Sequence, residues 1–335
     1  MTAQLSFYPS QDQVQKFDTT IRMRLADSLS YLSEFCAARF QVDQQKLKQA
    51  LELVRTQPLL PEKVAAYYEL VTAIENEDFN FAQSLFEEIL ATDPAPDTLQ
   101  IIPFLDPQND ITSARYLKQI DTNPSSPFNI LPAKEADFAR VKQLIHDTLD
   151  LLKYESPELF YEISALLKSI MLGSGPLGKE QLTFDGASAP GLWGAIVLNV
   201  IEPKDVVDMA QTLAHESGHN LLFGYCIDDQ LVNNPDDELH ASPLRIDPRP
   251  LDGIYHATFV LARMHYAAAT ITESPLLSHT LRQKAQQEMS NREKAFYDGL
   301  STLKKYAEYT DQGKELMDAA ESYMNASAHG APKNG

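Results

Sequence analysis

A chain of 335 residues is long enough for one large or two modest domains with real cores. Its hydrophobic content of 44% and charged content of 22% are those of an ordinary soluble globular protein, and a net charge of -19 argues against a general nucleic-acid surface, which needs clustered Lys and Arg. Cys36 and Cys226 form neither a disulfide framework nor a thiolate metal site, the opening MTAQLSFYPSQD lacks the regions of a secretion signal, and no apolar run has the length of a membrane span, so a soluble cytoplasmic protein is expected.

From about Gln11 to Ala91 the sequence reads as several amphipathic helices, with Pro61 placed to open one of them. ATDPAPD breaks the pattern and LQIIPFL reads as a short strand; residues 1–105 are thus expected to form a helical N-terminal region. Residues 106–132, rich in Asp, Asn, Ser and Pro, are expected to form a linker or covering loop, and 133–335 a metal-binding catalytic domain. Helical periodicity resumes in EADFARVKQLIHDTLDLLKY and continues through PELFYEISALLKSIMLG, until GSGPLGKE stops it. QLTF at 181–184 and LWGAIVLNV at 192–200 read as strands; the second could be a plain core strand or offer its edge to an extended peptide.

The next helix, expected from about Pro203 to Phe223 with Glu202 as N-cap and Gly224 as its stop, carries His215-Glu216-Ser217-Gly218-His219. Histidines at i and i+4 share a helix face and can hold one metal ion with the Glu beside it. Val206, Ala210, Leu213, Ala214, Leu221 and Leu222 make the helix apolar, and buried imidazoles need a partner that a metal supplies. DDQLVNNPDDELHASPLRIDPRP follows as a polar loop, DGIYHATFVLARMHYAAATI returns to helix, and the remainder is helical until the tail frays.

Two ligands do not complete a reactive site. The peptidase class with a third histidine six residues after the second is disfavoured, because Tyr225 stands there and Leu222 replaces its glycine. Glu238 lies in a loop among aspartates and reads as solvated charge. His256, on an apolar helix where an unpaired imidazole is costly, is the better candidate; His240 and His265 are read as satisfied structural histidines.

His215-Glu216-x-x-His219, the run Ser242-Pro243-Leu244-Arg245-Ile246-Asp247-Pro248-Arg249-Pro250-Leu251, and Gly253-Ile254-Tyr255-His256 together resemble the HEXXH motif domain family found in gene clusters for ribosomally made, modified peptides. The likeness covers roughly residues 191–264. It implies an iron(II)- and 2-oxoglutarate-dependent hydroxylase acting on a side-chain β-carbon of a precursor peptide, with His256 as third ligand. Arg245 or Arg249 could hold the distal carboxylate of 2-oxoglutarate through a guanidinium fork, with a loop salt bridge to Asp247 as the plainer role. The all-histidine set departs from the usual iron triad, which has a carboxylate.

The fold expected is α+β and mostly helical: a motif helix beside a short sheet, reminiscent of zincins, with helical extensions at both ends. Two other functions remain open. In a zinc peptidase Glu216 would be the general base on a metal-bound water, whereas in the oxygenase it would orient ligands or touch the peptide. In a peptide-binding scaffold the metal would be structural. Oligomeric state is not legible.

Overall fold

Acidic N-caps and apolar positions at helical spacing recur along the chain, and most of it is accordingly helical. The computed structural model describes residues 5–91, 93–122, 129–175, 184–242 and 247–328. In chain order they form α1 (Gln11–Phe35), α2 (Gln44–Thr56), α3 (Pro61–Glu75), α4 (Phe79–Leu90), β1 (Gln100–Pro103), α5 (Ile111–Ile120), β2 (Leu131–Pro132), α6 (Glu135–Glu155) and α7 (Pro157–Leu166). There follow β3 (Ser169–Ser174), β4 (Gly186–Ala187), β5 (Ala195–Asn199), α8 (Val206–Tyr225), β6 (Leu239–His240), β7 (Arg249–Pro250), α9 (Leu251–Ile271), α10 (His279–Tyr306) and α11 (Asp311–Ala328). The class is α+β, mostly α, as expected. No helix among the described residues is long and apolar enough to cross a membrane.

The chain divides into two units interleaved along the sequence. One comprises residues 12–140 and 164–202 and contains the main sheet; the other comprises 1–11, 141–163 and 203–335 and contains the motif helix. The main sheet and the motif helix belong to different units.

In the sheet unit the strand order is β1-β3-β5-β4, with β2 also pairing β3. β1 and β5 lie parallel to β3, and β4 antiparallel to β5. Two expectations change here. The helix read through residue 173 ends at Leu166, and Ser169–Ser174 is a strand between β1 and β5, with 169–173 all buried. A strand covered on both faces is apolar without alternation, which periodicity does not separate from a buried helix. The segment 106–132, read as linker or loop, carries α5: Asp110 accepts the Ser113 N–H at 2.7 Å as N-cap, and Tyr116 and Ile120 bury against Met171 and Val197.

LWGAIVLNV holds β5, which is entirely buried and paired on both sides, by Ala195–Asn199 to β3 and Val197–Leu198 to β4. It is a core strand, and over Val197–Leu198 it has no edge to offer a peptide. Of QLTF, residues 181–183 lie outside the described residues.

In the motif unit, α9 packs against both α8 and α10. α8 begins at Val206, later than expected, because Asp205 rather than Glu202 caps it: its carboxylate accepts the Val207 and Asp208 N–H groups at 3.0 and 3.1 Å. Lys284 of α10 ties down both Asp205 and Asp208, at 2.7 and 2.5 Å. Gly224 does not stop the helix. It is buried within the last turn, and Cys226 still donates to the Leu222 carbonyl at 2.9 Å.

Candidate metal centre

The two motif histidines leave α8 on the side that faces α9. Gly218, between them in sequence, lets that side come close: a Cβ there would lie 3.1 Å from Val260 Cγ1 and 3.6 Å from Arg263 Cγ. α9 presents His256 one turn before Val260 and Met264 one turn after it.

His215 and His219 turn Nε2 toward each other, 3.2 Å apart, with rings crossed at 74°. Two nitrogens each about 2.1 Å from one ion, at tetrahedral to octahedral angles, are about 3 to 3.4 Å apart, so this pair has the span of two ligands on one metal. The pKa of His219 lies well below the usual histidine range, first through burial and then through the neighbouring His215 and His256; burial also lowers that of His256, against the pull of Asp252. Neutral imidazole is the form that binds metal.

His256 joins the cluster differently. Its Nδ1 lies 3.3 Å from Nδ1 of His219, the two rings stacked at 21°, and its Nε2 is 3.9 Å from Asp252 Oδ1. It therefore meets the nitrogen of His219 that is turned away from His215, and among the described residues no three His, Cys, Asp or Glu side chains are gathered so as to hold one ion. The motif pair fits a metal; His256 as third ligand does not fit in this arrangement.

Glu216 is 4% exposed, with Oε1 3.8 Å from His215 Nε2, on the side where the two Nε2 atoms meet. Arg249, in β7 opposite His240, binds Asp247 at 2.8 Å, while its Nε is buried with no partner among the described residues. That is the loop salt bridge foreseen as its plainer role; a dicarboxylate would have to share or displace Asp247. Arg245 lies outside the described residues.

The other histidines are placed as structural groups. His265 Nδ1 meets the Tyr323 hydroxyl at 2.8 Å, and His240 Nε2 meets Glu238 Oε1 at 2.7 Å over the ring of Tyr306. Glu238, read as solvated charge, has His240 and Asn234 as partners.

Met264 and Asp252 escaped the sequence reading. Asp252 stands one helical turn before His256, a spacing that could have drawn attention to it, but Met264 looks like any apolar residue of a buried helix. Its Sδ lies 3.3 Å from His215 Nδ1. No protein-family model matches the chain, and no curated protein is significantly similar to it.

Proposed function

We propose that this protein is an iron(II)- and 2-oxoglutarate-dependent hydroxylase acting on a side-chain β-carbon of a ribosomally made precursor peptide. The observation that carries the reading is the convergence of His215 and His219 by Nε2, beside a further imidazole, at a buried helix crossing. Iron(II) there would supply dioxygen activation, coupled to decarboxylation of 2-oxoglutarate to succinate as one oxygen atom passes to the peptide. The chain's own residues bind and orient. His215 and His219 hold the ion through Nε2, and burial keeps His219 neutral. Arg249, in the block that resembles the family, is the cation assigned to the distal carboxylate, which would share or displace its partner Asp247.

One observation favours a second reading, zinc-dependent peptide hydrolysis. Glu216 has its carboxylate near the nitrogen that His215 turns to the ion, where a general base on bound water belongs.

Anaerobic titration of the iron(II)-loaded protein with 2-oxoglutarate separates the two. A visible metal-to-ligand charge-transfer band, weakened in Arg249→Ala, is expected for the hydroxylase. No band, with tight zinc retention and peptide cleavage that needs no oxygen, would replace it with the peptidase.

A further inference from the structure

Each motif histidine has a neighbour at its other nitrogen. His215 Nδ1 lies 3.3 Å from Met264 Sδ, and His219 Nδ1 lies 3.3 Å from His256 Nδ1. A thioether has no hydrogen to give, so the first contact runs one way: His215 donates from Nδ1, which in a neutral imidazole leaves the lone pair on Nε2. The second contact joins two imidazoles, and its direction depends on what lies at Nε2 of His219.

With an ion there, His219 must carry its proton on Nδ1 and donate it to His256. The proton of His256 then sits on Nε2, the atom 3.9 Å from the Asp252 carboxylate, within ion-pair reach though longer than a hydrogen bond. We infer, on the basis of the metal reading above, that Met264 and His256 are positioning residues that orient His215 and His219 from behind, and that His256 does not touch the ion.

The geometry leaves His256 little else to do. His219 can give an ion only one nitrogen, and the nitrogen His256 faces is not the one His215 faces. Metal-binding imidazoles commonly donate their second N–H to a carboxylate, carbonyl or water, which fixes ring and tautomer. Here the acceptors are a thioether and a third imidazole backed by a carboxylate. When no ion is present the same contacts close as a chain, His256 donating to His219, His219 from Nε2 to His215, and His215 to Met264. Metal uptake therefore moves the His219 proton from Nε2 to Nδ1.

The test is imidazole nitrogen NMR on the full chain with labelled histidine, titrated with zinc alone, signals being assigned by their loss in His215→Asn, His219→Asn and His256→Asn. Expected are metal-bound shifts on Nε2 of His215 and His219, none on His256, and transfer of the His219 proton to Nδ1. A metal-bound shift on His256 overturns the inference and leaves the metal reading standing; no such shift on any histidine overturns both.

A competition titration against a chromophoric chelator adds the energetic side. His256→Ala and Met264→Leu should weaken zinc binding by about 10- to 100-fold, the usual effect of removing a group behind a ligand, with one zinc per chain retained. His256→Gln, which keeps an acceptor, should recover most of the loss, whereas His215→Ala should abolish binding. His256→Gln as damaging as His215→Ala, or Met264→Leu without effect in a chain that circular dichroism shows folded, would overturn the corresponding role.

Discussion

His265 offers a quantitative test of the α9 core. Its side chain is 2% exposed, its Nδ1 meets the Tyr323 hydroxyl, and burial lowers its pKa from 6.5 to about 4. The unfolded chain therefore binds a proton on this residue at higher pH than the folded chain does. Stability from this group is fully present above the unfolded value and is lost as pH falls from 6.5 toward 4. At about 1.4 kcal/mol per unit, the gap amounts to roughly 3 kcal/mol when the descent is complete, and to about 2 kcal/mol near pH 5. Urea unfolding of the wild type and of His265→Leu across that range isolates the effect. Leu cannot titrate, and the loss of the Tyr323 contact is a constant offset, so the stability difference between the two chains should shrink or reverse on acidification by that amount. A difference that stays level with pH would mean that His265 titrates in the folded protein as it does in water, and would refute the reasoning.

The buried Arg263–Glu162 ion pair is a second target. Glu162 also accepts the Ser10 N–H at 2.8 Å, and Arg263 donates to the Phe7 carbonyl at 3.0 Å, so the pair anchors the N-terminal residues of the motif unit. Glu162→Ala strands a fully buried guanidinium and should cost about 3–5 kcal/mol in chemical denaturation. Gly313→Ala places a Cβ 1.9 Å from the Leu231 carbonyl oxygen, a backbone atom held by the Thr310 N–H, and a loss of more than about 2 kcal/mol is expected. Asp205→Ala removes the N-cap of α8 and a partner of Lys284, with an expected cost of about 1–2 kcal/mol by the same assay. Gly218→Val should keep the fold by circular dichroism yet weaken zinc binding by about tenfold or more, since the branched side chain must push Val260 away; unchanged affinity would mean that the crossing does not set the site.

The helices were legible because their signals are local: Pro61 opens α3, and apolar spacing marks α1 through α4, α6 and α9. What misled was local sense overridden by burial. The run Ser169–Ser174 continues a helical pattern in sequence, but its neighbours β1 and β5 make it a strand. The Asp- and Asn-rich stretch before α5 reads as loop because caps and loops use the same residues; Asp110 is a cap. At the site, i and i+4 spacing identified His215 and His219 as a pair, and the apolar helix singled out His256. Which nitrogen each ring presents is not written in spacing. It depends on how α9 crosses α8.

That crossing ties the site together. At that crossing Gly218 faces Val260 with no room for a side chain between them, and Val260 stands one turn from His256 on one side and one turn from Met264 on the other. A single close approach thus brings His256 to His219 and Met264 to His215 together, and both acceptors would retreat if it widened. Arg263 reinforces the same face: its Cγ packs on Gly218 while its guanidinium is locked to Glu162 and the Phe7 carbonyl. A buried ion pair with little net stabilising value in such a place is understandable as a device that fixes the register of α9, because a slip of the helix would strand the charge. The small residue inside the histidine motif and the buried arginine on the facing helix then serve one end: fixing the face of α9 against which the His215 and His219 rings are set.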